Sequence, residues 1–314
     1  MKTINVVSRH PNPWLRQFPG SQPFWGDWQF IFNEKNLPYD FLVVFDNAPE
    51  PIKIKCPIEN TLHISTEPPS FFKYSIDYLN QFRWIITQDK TIKNREGVIY
   101  HHGGLTWFLG WDPQKPNDSK CMNFYELQAL ANKPKSKLCS IITSNKQYTP
   151  GHIKRIDFAK KLKNHYGESL DLFGRGFRTM ADKIESLENY RFQIVIENAE
   201  FDHYFTEKLS DCFINGTYPI YYGCPNLDSY FPANSFQPIN INNIQESILL
   251  IDRAIKENYD LRFKEQLQHA KESVMHEHNL FPMLVRVINK IEAIMRLDNK
   301  EKLKMIHHKE IFPF

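Results

Sequence analysis

The sequence contains no apolar run long enough to cross a bilayer and no paired cysteines. Nowhere in its 314 residues do about 18 apolar residues follow one another, and the N-terminus MKTINVVSRHPNPW has no apolar core of a signal peptide. Its five cysteines form no C-x-x-C pair, and their odd number argues against a disulfide framework. We therefore expect a protein of a reducing compartment, the cytoplasm, with neither a membrane span nor an export signal.

Motifs for two common cofactors are also missing. No G-x-G-x-x-G follows a predicted strand, because the turn LFGRGF (172–177) lacks the third glycine, and this disfavours an NAD-dependent dehydrogenase. The histidines and cysteines do not have the spacing of zinc ligands. A formal net charge of +3 is too small to indicate a nucleic-acid partner, although it suits an anionic small molecule or an anionic membrane surface.

What the chain does contain is the composition of a soluble globular protein. Hydrophobic residues make up 41% of it, aromatic residues 14% and charged residues 24%, so it can bury a sizeable core. A length of 314 residues exceeds what one hydrophobic core usually organises, so two domains of about 150 residues are expected. The sequence shows no internal repeat and no low-complexity tract.

The first half alternates short β-rich runs with turn-forming residues. The runs are INVVS (4–8), DFLVVFD (40–46), TLHIST (61–66), RWIITQD (83–89) and GVIYH (97–101). They are almost continuously apolar, which is typical of parallel strands buried on both faces rather than of an antiparallel meander. We predict an α/β domain over residues 1–130.

The second half repeats this alternation with helices between its strands. Its strands are KLCSIITSN (137–145), SLDLFGRG (169–176), YRFQIVIEN (190–198) and TYPIYYGCP (217–225), and its helices are HIKRIDFAKKLKNHY (152–166) and FTEKLSDCFING (205–216). The last strand pair and the helix between them form a βαβ unit, in which Gly216 is the expected helix stop. We predict a second α/β domain over 131–290 and a helical tail over 291–314.

In both domains the carboxyl ends of the strands are expected to face the same cleft. Open α/β sheets bind ligands at the carboxyl ends of their strands, so two such domains, with C-terminal helices crossing back over the first, would face a common cleft.

The tail KIEAIMRLDNKEKLKMIHHKEIFPF carries basic residues beside Ile, Leu and Met. We interpret it as a packed final helix, and peripheral contact with the inner face of a bacterial membrane is the alternative.

Polar groups are concentrated at the strand-to-helix junction IENAEFDHYFTEKL (196–209). The free N–H groups and the dipole of a helix N-terminus attract phosphate, and a lysine there adds a positive charge. A neighbouring carboxylate can accept hydrogen bonds from ribose hydroxyls. The spacing therefore indicates a nucleotide site, although a helix that merely begins with Glu and Lys fits it as well.

The run YRFQIVIENAEFDHYFTEKLSDCFINGTYPIYYGCP closely resembles the hallmark segment of family 10 glycosyltransferases, the α1,3/4-fucosyltransferases. The agreement includes the E-N, Y-x-T-E-K and P-I-Y-x-G elements, while Ile196 and Phe205 replace the usual phenylalanine and valine. KLCSIITSNKQYTPGHIKRIDFAKKL resembles the family's donor-domain opening, and HISTEPPSFF (63–72) resembles its acceptor-side segment. The resemblance implies an α/β fold of GT-B type, with two Rossmann-like domains facing a cleft.

The resemblance further implies that four residues bind a nucleotide-sugar donor. Arg155 and Lys208 would place positive charge at its diphosphate. Glu207 would bind the ribose hydroxyls, and Tyr204 would lie at the sugar or the diphosphate. For Arg155, a solvated position on its helix is the alternative.

Three further carboxylate and amide side chains each have two interpretations. Glu197 and Asn198, at the end of their strand, either bind the donor sugar or support the loop that follows. Glu67 follows the strand TLHIST at its carboxyl end, where burial would raise its pKa toward neutrality, and we predict that it is the catalytic base. Its alternative role is to cap the turn at Pro68 and Pro69.

The implied reaction is a single displacement with inversion at the anomeric carbon. We predict transfer of fucose from GDP-fucose to a hydroxyl of a galactose- or N-acetylglucosamine-containing glycan. No two aspartates stand two residues apart, so the D-x-D motif of metal-dependent transferases is absent. We expect no required cofactor, although a divalent metal can stimulate such an enzyme. The alternatives are a different nucleotide sugar as donor, and a non-catalytic module that binds a nucleotide sugar or a glycan.

Overall fold

A computed structural model describes residues 1–93, 95–111, 121–130, 134–143, 145 and 150–310, and its side chains in the last range are given for 151–296. Residues 112–120 and most side chains of the predicted tail lie outside these residues. The membrane contact that is the alternative interpretation of the tail is therefore untested. No helix in the described part of the chain is long and apolar enough to span a bilayer.

In the described residues, the first domain is built on a seven-stranded sheet. Its strands are β1 (Lys2–Val7), β2 (Phe24–Trp25), β3 (Trp28–Phe32), β4 (Phe41–Phe45), β5 (Thr61–Ile64), β6 (Trp84–Thr87) and β7 (Val98–Tyr100). The order is β2-β3-β1-β4-β5-β6-β7, and neighbours pair in parallel except β2 with β3. The predicted parallel sheet is thus confirmed.

The hairpin of β2 and β3 is absent from the sequence prediction. Its first strand is only two residues long, so the segment FWGDWQFIF shows no alternation from which a strand pair can be recognised. Gly26 turns the chain between the two strands with φ +58°, a conformation that glycine adopts without strain. The hairpin extends the sheet on the far side of β1.

The second sheet, within the residues that the structure describes, has five parallel strands. They are β8 (Lys137–Ile142), β9 (Leu170–Phe173), β10 (Tyr190–Ile196), β11 (Tyr218–Tyr222) and β12 (Gln237–Pro238). Read from the β9 edge, the order is β9-β8-β10-β11-β12, so the first strand lies between the second and the third. The first sheet repeats this arrangement around β1. Both domains are Rossmann-like, as predicted.

The helices vary from single turns to one of 31 residues. They include α1 (Ile76–Leu79), α2 (Phe124–Ala129), α3 (Pro150–Tyr166), α4 (Glu207–Asn215), α5 (Ile244–Lys256), α6 (Tyr259–Arg262), α7 (Lys264–Ser273), the π-helical turn Val274–His278 and α8 (Leu280–Glu310). Short 3₁₀ turns lie at Trp14–Gln17, Pro19–Ser21, Ile58–Asn60, Gly167–Ser169, Lys183–Ser186 and Leu227–Ser229.

Helix α4 follows directly from its sequence. The Thr206 hydroxyl accepts a hydrogen bond from the Lys208 backbone N–H and caps the first turn. Gly216 ends the helix in the left-handed conformation, with φ 64° and ψ 34°. Leu209 and Phe213 are fully buried on one face. The caps and the apolar face therefore fix both ends and the orientation of this helix.

Helix α8 carries the chain back onto the first domain. It begins at Leu280, before residue 291 where the predicted tail starts, and its residues Phe281, Leu284 and Ile288 are fully buried in the core of the first sheet. The Phe281 ring stacks on Phe18 with centroids 4.0 Å apart. The predicted crossing of C-terminal helices over the first domain is confirmed.

The buried side-chain amides of Gln17 and Asn279 fix the place where the chain returns to the first domain. The Gln17 amide nitrogen donates to the Leu105 carbonyl at 2.8 Å and to the Asn279 side-chain oxygen at 3.0 Å. The Asn279 amide nitrogen donates to the Gln17 carbonyl at 2.8 Å. Because buried polar groups are costly to leave unpaired, this reciprocal pairing fixes the start of α8 against the first domain.

A chain of neutral histidines also crosses between the domains. The Gly104 N–H donates to Nδ1 of His102 at 3.1 Å, so Nε2 of His102 carries the proton that it donates to Nδ1 of His278, also at 3.1 Å. Nε2 of His278 then donates to the Tyr230 carbonyl at 3.0 Å. Burial lowers the pKa of His278 to about 4, and the pKa of His102 also lies well below its usual value because of burial.

The packing of α8 predicts that Phe281→Ala destabilises the protein by about 3–5 kcal/mol, since a large ring leaves a cavity in a filled core. Urea unfolding followed by tryptophan fluorescence measures the change. Ile294→Ala, at a position 46% exposed on the same helix, is the matched control and should change stability by less than about 0.5 kcal/mol. Equal effects of the two substitutions would contradict the packing described.

The histidine chain predicts that stability falls as the pH is lowered from 7 to 5. Because the folded-state pKa of His278 is about 4, the unfolded chain binds a proton below pH 6.5 that the folded protein does not, which costs about 2 kcal/mol at pH 5. His278→Gln should flatten this dependence in urea unfolding at both pH values. The exposed residue His165 provides the control His165→Gln, and an equal slope in the two variants would refute the prediction.

Candidate active site

The predicted junction lies at the switch point of the second sheet. The chain leaves β8 for β9 on one side and then crosses to β10 on the other, so the carboxyl ends of β8 and β10 border a crevice. Thr143 follows β8, and Glu197 and Asn198 follow β10. Open α/β sheets bind ligands at such a crevice.

Glu197 is buried at this crevice and holds the junction together. Its carboxylate accepts hydrogen bonds from the Thr206 backbone N–H and hydroxyl, both at 2.9 Å, and from the Lys208 ammonium at 3.2 Å. Only 2% of Glu197 is exposed. These contacts support the loop between β10 and α4, which is one of the two roles predicted for Glu197.

Lys208 lies between two carboxylates. Its ammonium is 3.2 Å from Glu197 and 3.6 Å from Glu207. Burial disfavours the charged form of Lys208, but the two carboxylates outweigh burial and raise its pKa above the usual value. Burial of Glu207 is likewise outweighed by Lys208 and Lys183, which hold the pKa of Glu207 below its usual value. Lys208 and Glu207 are therefore both charged at neutral pH.

Arg155 reaches the same crevice from α3. Its Nε donates to the Thr143 hydroxyl at 3.1 Å, and its Nη1 donates to the side-chain oxygen of Asn198. Arg155 is only 5% exposed, so it is not the solvated helix residue of the alternative interpretation. Burial lowers the pKa of its guanidinium, and the nearby carboxylate of Glu197 opposes this effect.

A first cavity, of about 470 Å³, opens at the carboxyl ends of the second sheet. Arg155, Lys208, Asn198 and Glu207 line it, so most residues predicted to bind a donor share one wall. Two further cations, Arg175 after β9 and Lys183, line it as well, together with Glu67, Phe71, Phe108, Thr143 and His152. The cavity therefore combines several positive charges with an apolar floor from β10.

A second cavity, of about 430 Å³, adjoins the first on the side of the first domain. Its polar wall comes from the carboxyl ends of the first sheet, namely His10, Asn12, Asp46, Thr66 and Gln88. The two cavities share Glu67, Phe108, Asn198, Glu207 and Lys208. A molecule in one cavity would therefore meet a molecule in the other at these residues.

Glu67, the predicted base, stands in the wall common to both cavities. Glu67 is exposed to solvent in the cleft, and part of its carboxyl environment is formed by neighbouring protein. Burial raises its pKa above the usual value, the charge of Asp46 adds to this effect and the charge of Lys208 opposes it. A raised carboxyl pKa in a cleft is typical of a proton acceptor.

Tyr204 lines the second cavity, as do Glu207 and Lys208. It is 3% exposed, and burial raises the pKa of its hydroxyl. The predicted donor and base residues are thus brought to one region of the cleft, where Glu197 lies beneath the surface.

Two residues of this site, Asp46 and Lys183, are not predicted from the sequence. Asp46 directly follows β4, so the rule that selected Glu67, a carboxylate at the carboxyl end of a parallel strand, would also have selected it. Lys183 is brought into place by its ion pair with buried Asp211, at 2.6 Å, and by a hydrogen bond to the Glu207 carbonyl at 3.0 Å. No local pattern in the sequence indicates these contacts.

The described residues contain no group of three or more His, Cys, Asp or Glu side chains arranged to hold a metal ion. The expectation that the protein requires no metal stays a prediction.

Comparison with known proteins gives partial sequence matches and a similar fold. Alpha-(1,3)-fucosyltransferase B of Drosophila melanogaster is 31% identical over 115 residues, which are 31% of this chain and 25% of that protein. Alpha-(1,3)-fucosyltransferase FucT of Helicobacter pylori is 35% identical over 68 residues, which are 21% of this chain and 14% of that protein. The matched stretches therefore span a quarter or less of these relatives.

The fold has a counterpart among solved structures. The crystal structure of Anabaena Alr3699/HepE in complex with UDP and glucose has a TM-score of 0.51 at 8% identity, and the match covers 93% of this chain and all of that one (100%). At this identity the likeness concerns the fold alone, which is the GT-B type expected from the sequence.

Residues 132–279 match the sequence model of glycosyltransferase family 10 (fucosyltransferase) C-term. The match includes β8 to β12 and the whole crevice with Arg155, Glu197 and Lys208. These residues, a little under half of the chain, are therefore similar to the C-terminal domain of glycosyltransferase family 10, the family that the motifs of this chain resemble.

Proposed function

We propose that this protein is an inverting glycosyltransferase that moves fucose from GDP-fucose to a hydroxyl of a galactose- or N-acetylglucosamine-containing glycan. The family match and the fucosyltransferase relatives support the class of reaction. The observation that carries the proposal is the pair of adjoining cavities, because a cationic one and a polar one meet at Glu67, a carboxylate supplied by the first domain.

The first cavity suits the GDP end of the donor. Arg155 and Lys208 are held by Asn198 and Glu197, so their charges are in place before a diphosphate arrives. Preorganised positive charge stabilises a leaving diphosphate more than charge that must first be rearranged. Glu207 is ionised and lines the cavity, so its carboxylate can accept hydrogen bonds from ribose hydroxyls.

The second cavity suits the acceptor. Its wall of His10, Asn12, Asp46 and Gln88 offers hydrogen-bond donors and acceptors to a molecule rich in hydroxyl groups. Asn12 and Gln88 each present an amide, and amides hydrogen-bond hydroxyls in either direction. Tyr204 lies in this cavity next to the first one, where the sugar of a donor would extend.

The reaction follows from this arrangement. The acceptor O–H gives its proton to the Glu67 carboxylate while its oxygen forms a bond to the anomeric carbon. The bond from that carbon to the diphosphate oxygen breaks on the opposite face, and GDP leaves with the electron pair. Attack from one cavity and departure into the other inverts the configuration. Arg155 and Lys208 stabilise the charge that develops on the diphosphate.

The charged clamp predicts that Arg155→Gln and Lys208→Gln each weaken GDP binding about tenfold or more, because a charge-assisted hydrogen bond is lost. The amide of Lys208→Gln can still donate to Glu197, which keeps the junction folded. Isothermal titration calorimetry with GDP measures the affinity. Lys137→Gln, which breaks a surface ion pair with Asp171 in the same domain, is the control and should bind as the unchanged protein does.

The reaction is tested with a panel of radiolabelled GDP and UDP sugars offered with galactose- and N-acetylglucosamine-containing acceptors. Transfer from GDP-fucose is expected, and Glu67→Gln should lower kcat by about 10²–10⁴-fold while GDP affinity is kept. Glu59→Gln, at an exposed glutamate before β5, is the control.

The sugar-transfer experiment has separate outcomes that would contradict the donor, the base and the catalytic activity. Transfer from a UDP sugar alone would reject GDP-fucose as donor. Equal rates for Glu67→Gln and the unchanged protein would reject Glu67 as base. Neither transfer nor hydrolysis of any donor would favour a non-catalytic binding module.

A further inference from the structure

Asp46 has an unusual position at the end of β4. It is not glycine, yet its backbone is left-handed with φ +60°, and a side chain rarely adopts this conformation without compensating contacts. Its N–H donates to the Ile64 carbonyl at 2.9 Å, and its carbonyl accepts from Nε2 of His63 at 2.8 Å. Strained conformations of this kind are concentrated at functional sites.

The Asp46 carboxylate binds the residue directly before Glu67. It accepts hydrogen bonds from the Thr66 backbone N–H at 2.9 Å and from the Thr66 hydroxyl at 2.6 Å. The Tyr74 hydroxyl donates to it at 3.4 Å from the far side of the loop that carries Glu67. Asp46 is 7% exposed, so these bonds form in a mostly water-free environment that strengthens them.

Asp46 also lines the second cavity, where its carboxylate contacts His10. Nε2 of His10 is 3.4 Å from the Asp46 Oδ2. Burial alone would raise the pKa of Asp46, but the hydrogen bonds from His10 and Thr66 outweigh burial and lower it. Asp46 therefore carries a full negative charge at neutral pH, next to the loop of the proposed base.

We propose that Asp46 is a positioning residue for the base: it fixes Thr66 so that the Glu67 carboxylate points to the meeting point of the two cavities, and it places a second negative charge next to the loop of that carboxylate. This inference rests on the proposed function and adds to it a residue outside the matched C-terminal domain. Asp46 does not itself touch the acceptor hydroxyl in this account.

The charges around Glu67 determine the direction in which its pKa changes when the charge of Asp46 is removed. The titratable groups that face it are Asp46 from the end of β4, His10 after β1, and Glu207 and Lys208 from α4. Burial and Asp46 raise the pKa of Glu67, and Lys208 lowers it. Removing the charge of Asp46 should therefore lower the pKa of Glu67 and move the acid side of the kcat/KM profile to lower pH.

Asp46→Asn tests the inference, because its amide oxygen can still accept a hydrogen bond from Thr66 while the charge is lost. A carbon-13 NMR titration of the Glu67 carboxyl, assigned by its disappearance in Glu67→Gln, should show a pKa lower by roughly 0.5–1 pH unit. The acid side of the kcat/KM profile should move by the same amount, and kcat at its plateau should fall several-fold. His10→Gln separates the titration of His10 from that of Glu67.

Asp40→Asn is the matched control. Asp40 accepts hydrogen bonds from the N–H and hydroxyl of Thr3, at 2.7 and 3.1 Å, just as Asp46 does from Thr66, but it lies at the opposite end of the sheet. It should leave the pKa of Glu67 and kcat unchanged. A second variant, Thr66→Ala, removes the hydroxyl contact and keeps the charge, so kcat should fall several-fold while the pKa of Glu67 stays the same.

These outcomes separate the inference from the proposed function. An unchanged Glu67 pKa in Asp46→Asn, or an unchanged kcat in Thr66→Ala, would overturn the positioning role. A protein that transfers no sugar, yet shows the lower Glu67 pKa in Asp46→Asn, would overturn the proposed function and the positioning of a base, and would leave only the electrostatic coupling of the two carboxylates.

Discussion

The site depends on the interaction of Lys208 with two carboxylates, Glu197 and Glu207, at the carboxyl ends of the strands of the second sheet. Glu197 is fully buried, and an unpaired carboxylate there would be costly, so Lys208 and Thr206 must complete it. This requirement fixes the loop between β10 and α4 and the first turn of α4. Because Glu207 and Lys208 follow Thr206 in that turn, the same requirement places Glu207 and Lys208 at the rim of the first cavity.

The second constraint is the return of the chain to the first domain. Helix α8 completes the core of the first sheet, and the pairing of Gln17 with Asn279 fixes where it begins. The two sheets therefore present their carboxyl ends to a shared cleft, with Glu67 from the first opposite Lys208 from the second. Chemistry at such a cleft needs groups from both domains, since neither sheet supplies both the clamp and the proposed base.

Much of this could be predicted from sequence because it is encoded locally. The strands are continuous apolar runs, and Thr206 and Gly216 mark the ends of α4 by their own conformational preferences. Tertiary contacts decide the rest. The start of α8 at Leu280 depends on amide pairs with distant residues, and the place of Lys183 depends on buried Asp211, so neither is written in a local pattern. The left-handed backbone of Asp46 is similarly invisible to strand prediction.

We infer that the diphosphate of a sugar nucleotide binds where β8 and β10 end. A crystal structure of the protein soaked with GDP tests it most directly. We expect diphosphate oxygens within about 3.5 Å of both the Arg155 guanidinium and the Lys208 ammonium, with the ribose hydroxyls next to Glu207. A diphosphate bound elsewhere, with Arg155 and Lys208 contacting only protein, would contradict it.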